Sequence, residues 1–191
     1  MLYPNNIKKS YNKQNIEQHG NRGMDLESEL NITNNYYKEK DLALIYKKPT
    51  PIGIVDVSYK NQKKMIEKAY FKEQSTLDYN GLYKGRYIDF DAKVTKNKTA
   101  FPLANIHKHQ TEHIRGIIRH KGIAFLIIRM NNITYFLKGE DYLFYIDNNT
   151  RKSIAYDYIK DKGFIIKESY LPPLDYLKII DEIYFKENED E

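Results

Sequence analysis

The most constraining feature is the run Ile123-Ala124-Phe125-Leu126-Ile127-Ile128-Arg129-Met130. Seven of these eight residues are apolar, so neither face of a strand built from them tolerates water. A strand buried on both faces lies inside a sheet with layers packed above and below it. Asn131-Asn132 then turns the chain into Ile133–Leu137, making a hairpin.

The neighbouring segments fill in the layers. Tyr87 to Thr95 alternates as a strand, with Ile88, Phe90 and Ala92 on one face and Asp89, Asp91 and Lys93 on the other. Phe101-Pro102 opens a helix expected over 103–121, which Gly122 ends. Apolar spacing from Met24 to Tyr36 predicts a first helix over about 23–36. Short strands are expected over 42–46 and 52–59, separated by Pro49 and Pro51. Residues 62–70 read as a short basic helix, and Asn80-Gly81 as the turn of a projecting hairpin or loop over 71–85. Short helices near 140–147 and 153–161, a strand at 163–168 and a helix near 174–186 complete an α/β domain with a central sheet.

Composition narrows the class. The 191 residues include no Cys, which removes disulfide frameworks and Cys-rich zinc sites. No apolar run approaches the ~18 residues of a membrane span, and residues 1–20 lack the apolar region of a secretory signal. A cytoplasmic protein with no membrane contact is the expectation. The net charge is +5, yet residues 181–191 alone carry six acidic side chains and one Lys. The remaining body is therefore strongly basic, which suits a polyanion such as nucleic acid. Residues 1–20 read as a flexible basic N-terminal arm and 187–191 as an acidic tail.

Several side chains could carry chemistry. Asp91 and Lys93 project side by side from one face of their strand. A carboxylate there can hold a divalent cation, and the ammonium can stabilise charge developing on a phosphoryl oxygen. Asp78, thirteen residues upstream, can converge on the same cation, and Thr76 faces the same way if that stretch is extended. Magnesium takes oxygen ligands of this kind. Gln110 falls within the apolar stripe of Leu103, Ile106, Ile114 and Ile117, so it faces inward and needs a partner. His109 and His113, four residues apart beside it, also have a spacing that can bind a transition metal. Glu27 borders the inward face of the first helix. Each position also has an ordinary structural reading: an ion pair, an Asx turn, a hydrogen-bonded core amide, an exposed Glu.

Taken in order, these segments resemble the RecU family of Holliday junction resolvases, a branch of the PD-(D/E)xK nucleases with the restriction-endonuclease-like fold. The resemblance rests on Asn21-Arg22-Gly23-Met24 with Leu26-Glu27, Lys47-Lys48-Pro49-Thr50-Pro51, Ala69-Tyr70-Phe71, Ser75 through Gly81, Tyr87 through Lys93, and Phe101-Pro102-Leu103 through His109-Gln110. It spans about residues 21–185. It implies a central mixed β-sheet flanked by helices, with a projecting stalk over about 60–84 inside a nuclease domain of 21–186. It further implies a homodimer that cuts four-way DNA junctions by paired symmetric nicks in recombination and repair. Magnesium is the implied cofactor, with manganese as a substitute, and a strand-exchange recombinase is an implied partner. Carried over, Thr76, Asp78, Asp91 and Gln110 are the metal ligands, Lys93 the transition-state stabiliser and Glu27 a supporting acid. Lys72, Lys84 and Arg86, flanking the stalk, are the expected DNA contacts.

Two departures stand out. The family usually has Glu where this chain has Asp91, and a second Thr where it has Leu77. Leu77 alternates away from Thr76 and Asp78, so little catalytic effect is expected there. The shorter carboxylate of Asp91 is the one feature favouring an alternative, a junction-binding recombination accessory protein without nuclease activity. A sequence-specific nuclease of the same fold is a third reading.

Overall fold

The computed structural model describes residues 25–60, 63–72 and 76–186. The expected N-terminal arm and acidic tail lie outside the described residues. The first helix, α1 (Leu26–Glu39), starts where Asp25 caps it: its side chain accepts the Ser28 N–H at 2.8 Å. Leu26, Leu30, Thr33 and Tyr37 form its buried stripe.

A six-stranded sheet follows, ordered β1 (Leu44–Lys47), β4 (Tyr79–Tyr83), β5 (Arg86–Val94), β7 (Ile123–Met130), β8 (Ile133–Lys138) and β10 (Phe164–Ile165). Only β5 and β7 run parallel; the other neighbours are antiparallel. Helix α2 (Lys108–Arg119) makes the crossover between the parallel pair. Strand β7 is buried on both faces, as its composition requires. Ile123, Phe125 and Ile127 join the core with α1 and α5 (Leu177–Ile180). Ala124, Leu126, Ile128 and Met130 join the opposite core with α2 and α3 (Gly139–Asn148). Rings of Tyr79, Phe90, Phe125 and Phe136 stack across four strands at centroid spacings of 4.8, 4.6 and 4.2 Å.

Several local expectations are corrected. Residues read as a basic helix form β3 (Lys63–Phe71), paired antiparallel with β2 (Ile52–Lys60) in a separate hairpin. This β2–β3 pair forms a two-stranded sheet of its own, whereas residues 79–83, expected in the loop, lie in the central sheet. Asn80-Gly81 is not a turn but the middle of β4; the turn is Lys84-Gly85, with φ of 46° and 75°. Gly81 serves close packing instead, because a Cβ there would lie 2.1 Å from the Leu44 carbonyl oxygen of β1. The helix expected from 103 begins as a 3-10 turn, Leu103–Asn105, after β6 (Ala100–Pro102) pairs with β9 (Ser153–Ala155). Helix α4 (Tyr156–Lys162) follows β9, the strand expected at 163–168 shortens to β10, and the last helix is α5 with a π-helical turn, Asp181–Phe185. Among the described residues no helix is long and apolar enough to cross a membrane.

Candidate active site

The second half of β5 carries Asp91 and Lys93 on the face that α2 covers. Asp91 is fully buried. Its Oδ2 accepts from Gln110 Nε2 at 2.9 Å and lies 2.9 Å from Lys93 Nζ, while its Oδ1 accepts the Ala92 N–H at 3.0 Å. Gln110 therefore satisfies its inward position, as the helical stripe requires. Asp78 sits just before β4, with its Oδ2 4.0 Å from Lys93 Nζ. The Lys48 N–H donates to the Asp78 carbonyl at 2.7 Å and fixes the backbone there. The structure thus brings Asp78, Asp91, Lys93 and Gln110 together from β5, α2 and the segment before β4.

Burial pushes the Asp91 carboxyl up to about 7; a hydrogen bond with Asp78 and that group's charge act in the same direction, and Lys93 opposes them. The buried Asp91 carboxyl, with the Asp78 carboxyl close by and a single ammonium beside them, forms a site that a cation would relieve.

The remaining expected residues are placed less centrally. Thr76 is half-buried, and its hydroxyl lies 3.5 Å from the Leu77 carbonyl. Leu77 points away into the core with no exposure, as the alternation predicts. Glu27 lines a cleft of about 250 Å³ together with Asp25, Asp78 and Ala92. Its carboxylate is exposed and pairs with Lys47. The buried acid of α1 is Glu29, which pairs with Arg129 of β7. Lys72 lies exposed at the base of the β2–β3 hairpin, where its N–H donates to the Pro51 carbonyl at 2.9 Å.

Lys84 and Arg86 are not brought to the site. They occupy the β4–β5 turn, and Arg86 is roughly 16 Å along the strand from Asp91. Lys84 Nζ pairs with Asp181 at 2.6 Å; the Arg86 guanidinium donates to the Lys121 carbonyl at 2.8 Å and lies over the Tyr184 ring. Both cations are held by the C-terminal segment and the end of α2, which strand-level reading could not foresee. His113 does not join His109 on a metal; its Nε2 faces Asp89 at 2.9 Å.

Sequence reasoning passed over Asp89. It shares a β5 face with Asp91, is fully buried, and meets Lys48, Tyr87 and His113. The available signal was a second carboxylate at i−2 on a face that a helix covers.

The model of the family "Recombination protein U" matches residues 21–182. The chain is 47% identical over 196 residues to the Holliday junction resolvase RecU of Bacillus subtilis strain 168, covering 96% of this chain and 95% of that one. This chain belongs to the RecU family. The Holliday junction resolvase RecU of Staphylococcus aureus strain JH9 is 48% identical over 182 residues, covering 92% of this chain and 87% of its own length. A solved structure of the resolvase Hjc from Archaeoglobus fulgidus overlaps loosely, with a TM-score of 0.41 and 10% identity over 72% of this chain and 95% of that one.

RecU-family membership implies a divalent cation, and the donor set fits one. Asp78 and Asp91 bring carboxylate oxygens to 4.0 and 2.9 Å from the same Lys93 Nζ, and the chain has no Cys to offer a thiolate instead. Among the described residues no group of three His, Asp or Glu converges to hold a metal. Gln110 turns its amide nitrogen toward Asp91, while its Oε1 accepts the His107 N–H at 3.0 Å. In this arrangement it orients Asp91 rather than presenting oxygen to a cation; the expected ligand role requires the amide to turn over.

Proposed function

We propose that this chain is a metal-dependent, structure-specific endonuclease that resolves four-way DNA junctions by paired nicks. The observation that carries the reading is the buried Asp91, joined to Lys93, Gln110 and Asp78 in a chain of the RecU family. Asp78 and Asp91 would hold magnesium, or manganese in its place, with the Thr76 oxygens as neutral donors. When bound, the ion supplies charge neutralisation and Lewis-acid polarisation of the scissile phosphate.

The chain's own residues do the rest. Lys93, between the two carboxylates, offers N–H donors to a phosphoryl oxygen as negative charge develops on it. Gln110 keeps Asp91 Oδ2 in place, and the Ala92 N–H keeps Oδ1. Glu27, which lines the cleft beside Asp78 and pairs with Lys47, is the supporting acid. The β2–β3 hairpin is the stalk that enters the junction, and Lys72 at its base is a phosphate contact. Lys84 and Arg86 serve the fold, since both are already engaged. A twofold dimer would place two such sites on opposed strands.

The test uses a labelled immobile four-way junction and a linear duplex of matched sequence. Each is incubated with the protein or its Asp91→Asn variant, in magnesium, manganese or EDTA. Symmetric nicking of the junction alone, dependent on metal and lost in the variant, is the expected result. Tight binding without a cut under any metal would favour the accessory-protein alternative. Cutting of linear duplex at one fixed sequence would point to a sequence-specific nuclease.

A further inference from the structure

Asp89 lies outside the proposed ligand set, yet its surroundings lead back to it. Its side chain is wholly buried. Its Oδ2 accepts from Lys48 Nζ at 2.7 Å and from Tyr87 Oη at 2.9 Å, and lies 2.9 Å from His113 Nε2. Its Oδ1 is buried with no hydrogen-bond partner among the described residues. Three groups crowd one oxygen, and one is an ammonium, so Asp89 is unsuited to be a further metal ligand. A buried carboxylate with one oxygen unsatisfied is costly.

The partners show what Asp89 does. Lys48 follows β1, and its backbone N–H is the group that holds the Asp78 carbonyl. His113 stands three residues after Gln110 on α2, and Gln110 holds Asp91. Asp78 itself lies in an irregular stretch, outside any strand ladder. Asp89 therefore ties two other parts to its own strand: the segment gripping Asp78 and the helix bearing Gln110 are both held to β5, which carries Asp91 and Lys93.

We propose that Asp89 is a positioning residue, which, through Lys48 on one side and His113 on the other, sets the separation of the two metal-holding carboxylates. This rests on the reading of Asp78 and Asp91 as ligands. Residues that orient metal ligands typically change metal affinity by 10- to 100-fold.

The experiment is calorimetric titration of manganese into the full chain without DNA, for the wild type and for Asp89→Asn, Lys48→Met and Lys48→Arg. Thermal unfolding and junction affinity in EDTA are measured alongside. Asp89→Asn and Lys48→Met are expected to weaken manganese binding about tenfold or more. Cooperative unfolding and junction affinity in EDTA should be retained, and Lys48→Arg should recover most of the affinity. Wild-type manganese affinity in Asp89→Asn would overturn the positioning role and leave the metal site standing. If Asp89→Asn fails to fold, Lys48→Met decides in the same way. Failure of the wild type to bind manganese would overturn the metal-site reading and the positioning role together.

Discussion

Asp91 concentrates the physical tension of the site in one side chain. Its carboxyl titrates at about 7 because burial removes the water that would solvate its charge, and Asp78 adds to this against the pull of Lys93. An unfolded Asp titrates near 3.9. Between about pH 4 and 7 the folded chain therefore keeps a proton that the unfolded chain has lost, and stability falls as pH rises through that window. Above it both states are ionised and this contribution is flat. The metal-free protein is expected to lose about 2–3 kcal/mol through Asp91 between pH 5 and pH 8. Urea unfolding at the two pH values, beside Asp91→Asn, checks this; an identical pH dependence in the variant would sink it. With Asp91 in the proposed ligand role, metal would displace the same proton, so affinity for manganese should strengthen as pH rises toward 8.

At the scale of elements, two joints can be tested. Strand β4 meets β1 through Gly81, where a Cβ would sit 2.1 Å from the Leu44 carbonyl oxygen and 2.7 Å from Ile45 Cα. Backbone must move to admit it, so Gly81→Ala should cost about 1–3 kcal/mol in chemical unfolding; a loss below ~0.5 kcal/mol would mean that the strands part easily. The β2–β3 hairpin is the opposite case. Its described residues contribute nothing to either core cluster, and β3 is exposed along its whole length. Replacing residues 53–70 with a short turn should leave cooperative unfolding in place while removing the preference for junction over linear duplex. Collapse of the fold would show that the hairpin is structural. Its first half was legible as a strand, but its second was not. Met65, Ile66 and Ala69 suit one side of a short helix, and only pairing with β2 decided between the two periods.

At the scale of the described chain, two cores lie on opposite faces of the central sheet, and β7 contributes to both. The Phe125 ring contacts both Phe90 and Phe136, so it links β5, which carries the site, to β8. Phe125→Ala is expected to destabilise the chain by about 3–5 kcal/mol. An unchanged thermal midpoint would show that the ring stack does not hold the strands together.

The layered α/β architecture followed from one apolar run, and the alternation of β5 and the misplaced polarity of Gln110 were enough to nominate the centre of the site. Those features are local: backbone period decides which face a side chain takes. Which side chains meet is decided by the path of the chain. Apolar spacing pointed to Glu27 at the border of the inward face, yet Glu29 is the acid that is buried and meets Arg129, one hundred residues away. Lys84 and Arg86 read as free cations until the C-terminal segment returns to bind them. Asp89 acquires Lys48 and His113 only when β1 and α2 close on β5. Spacing along a strand carries no information about partners 24 to 41 residues distant, because burial and charge pairing are set by the packed layers.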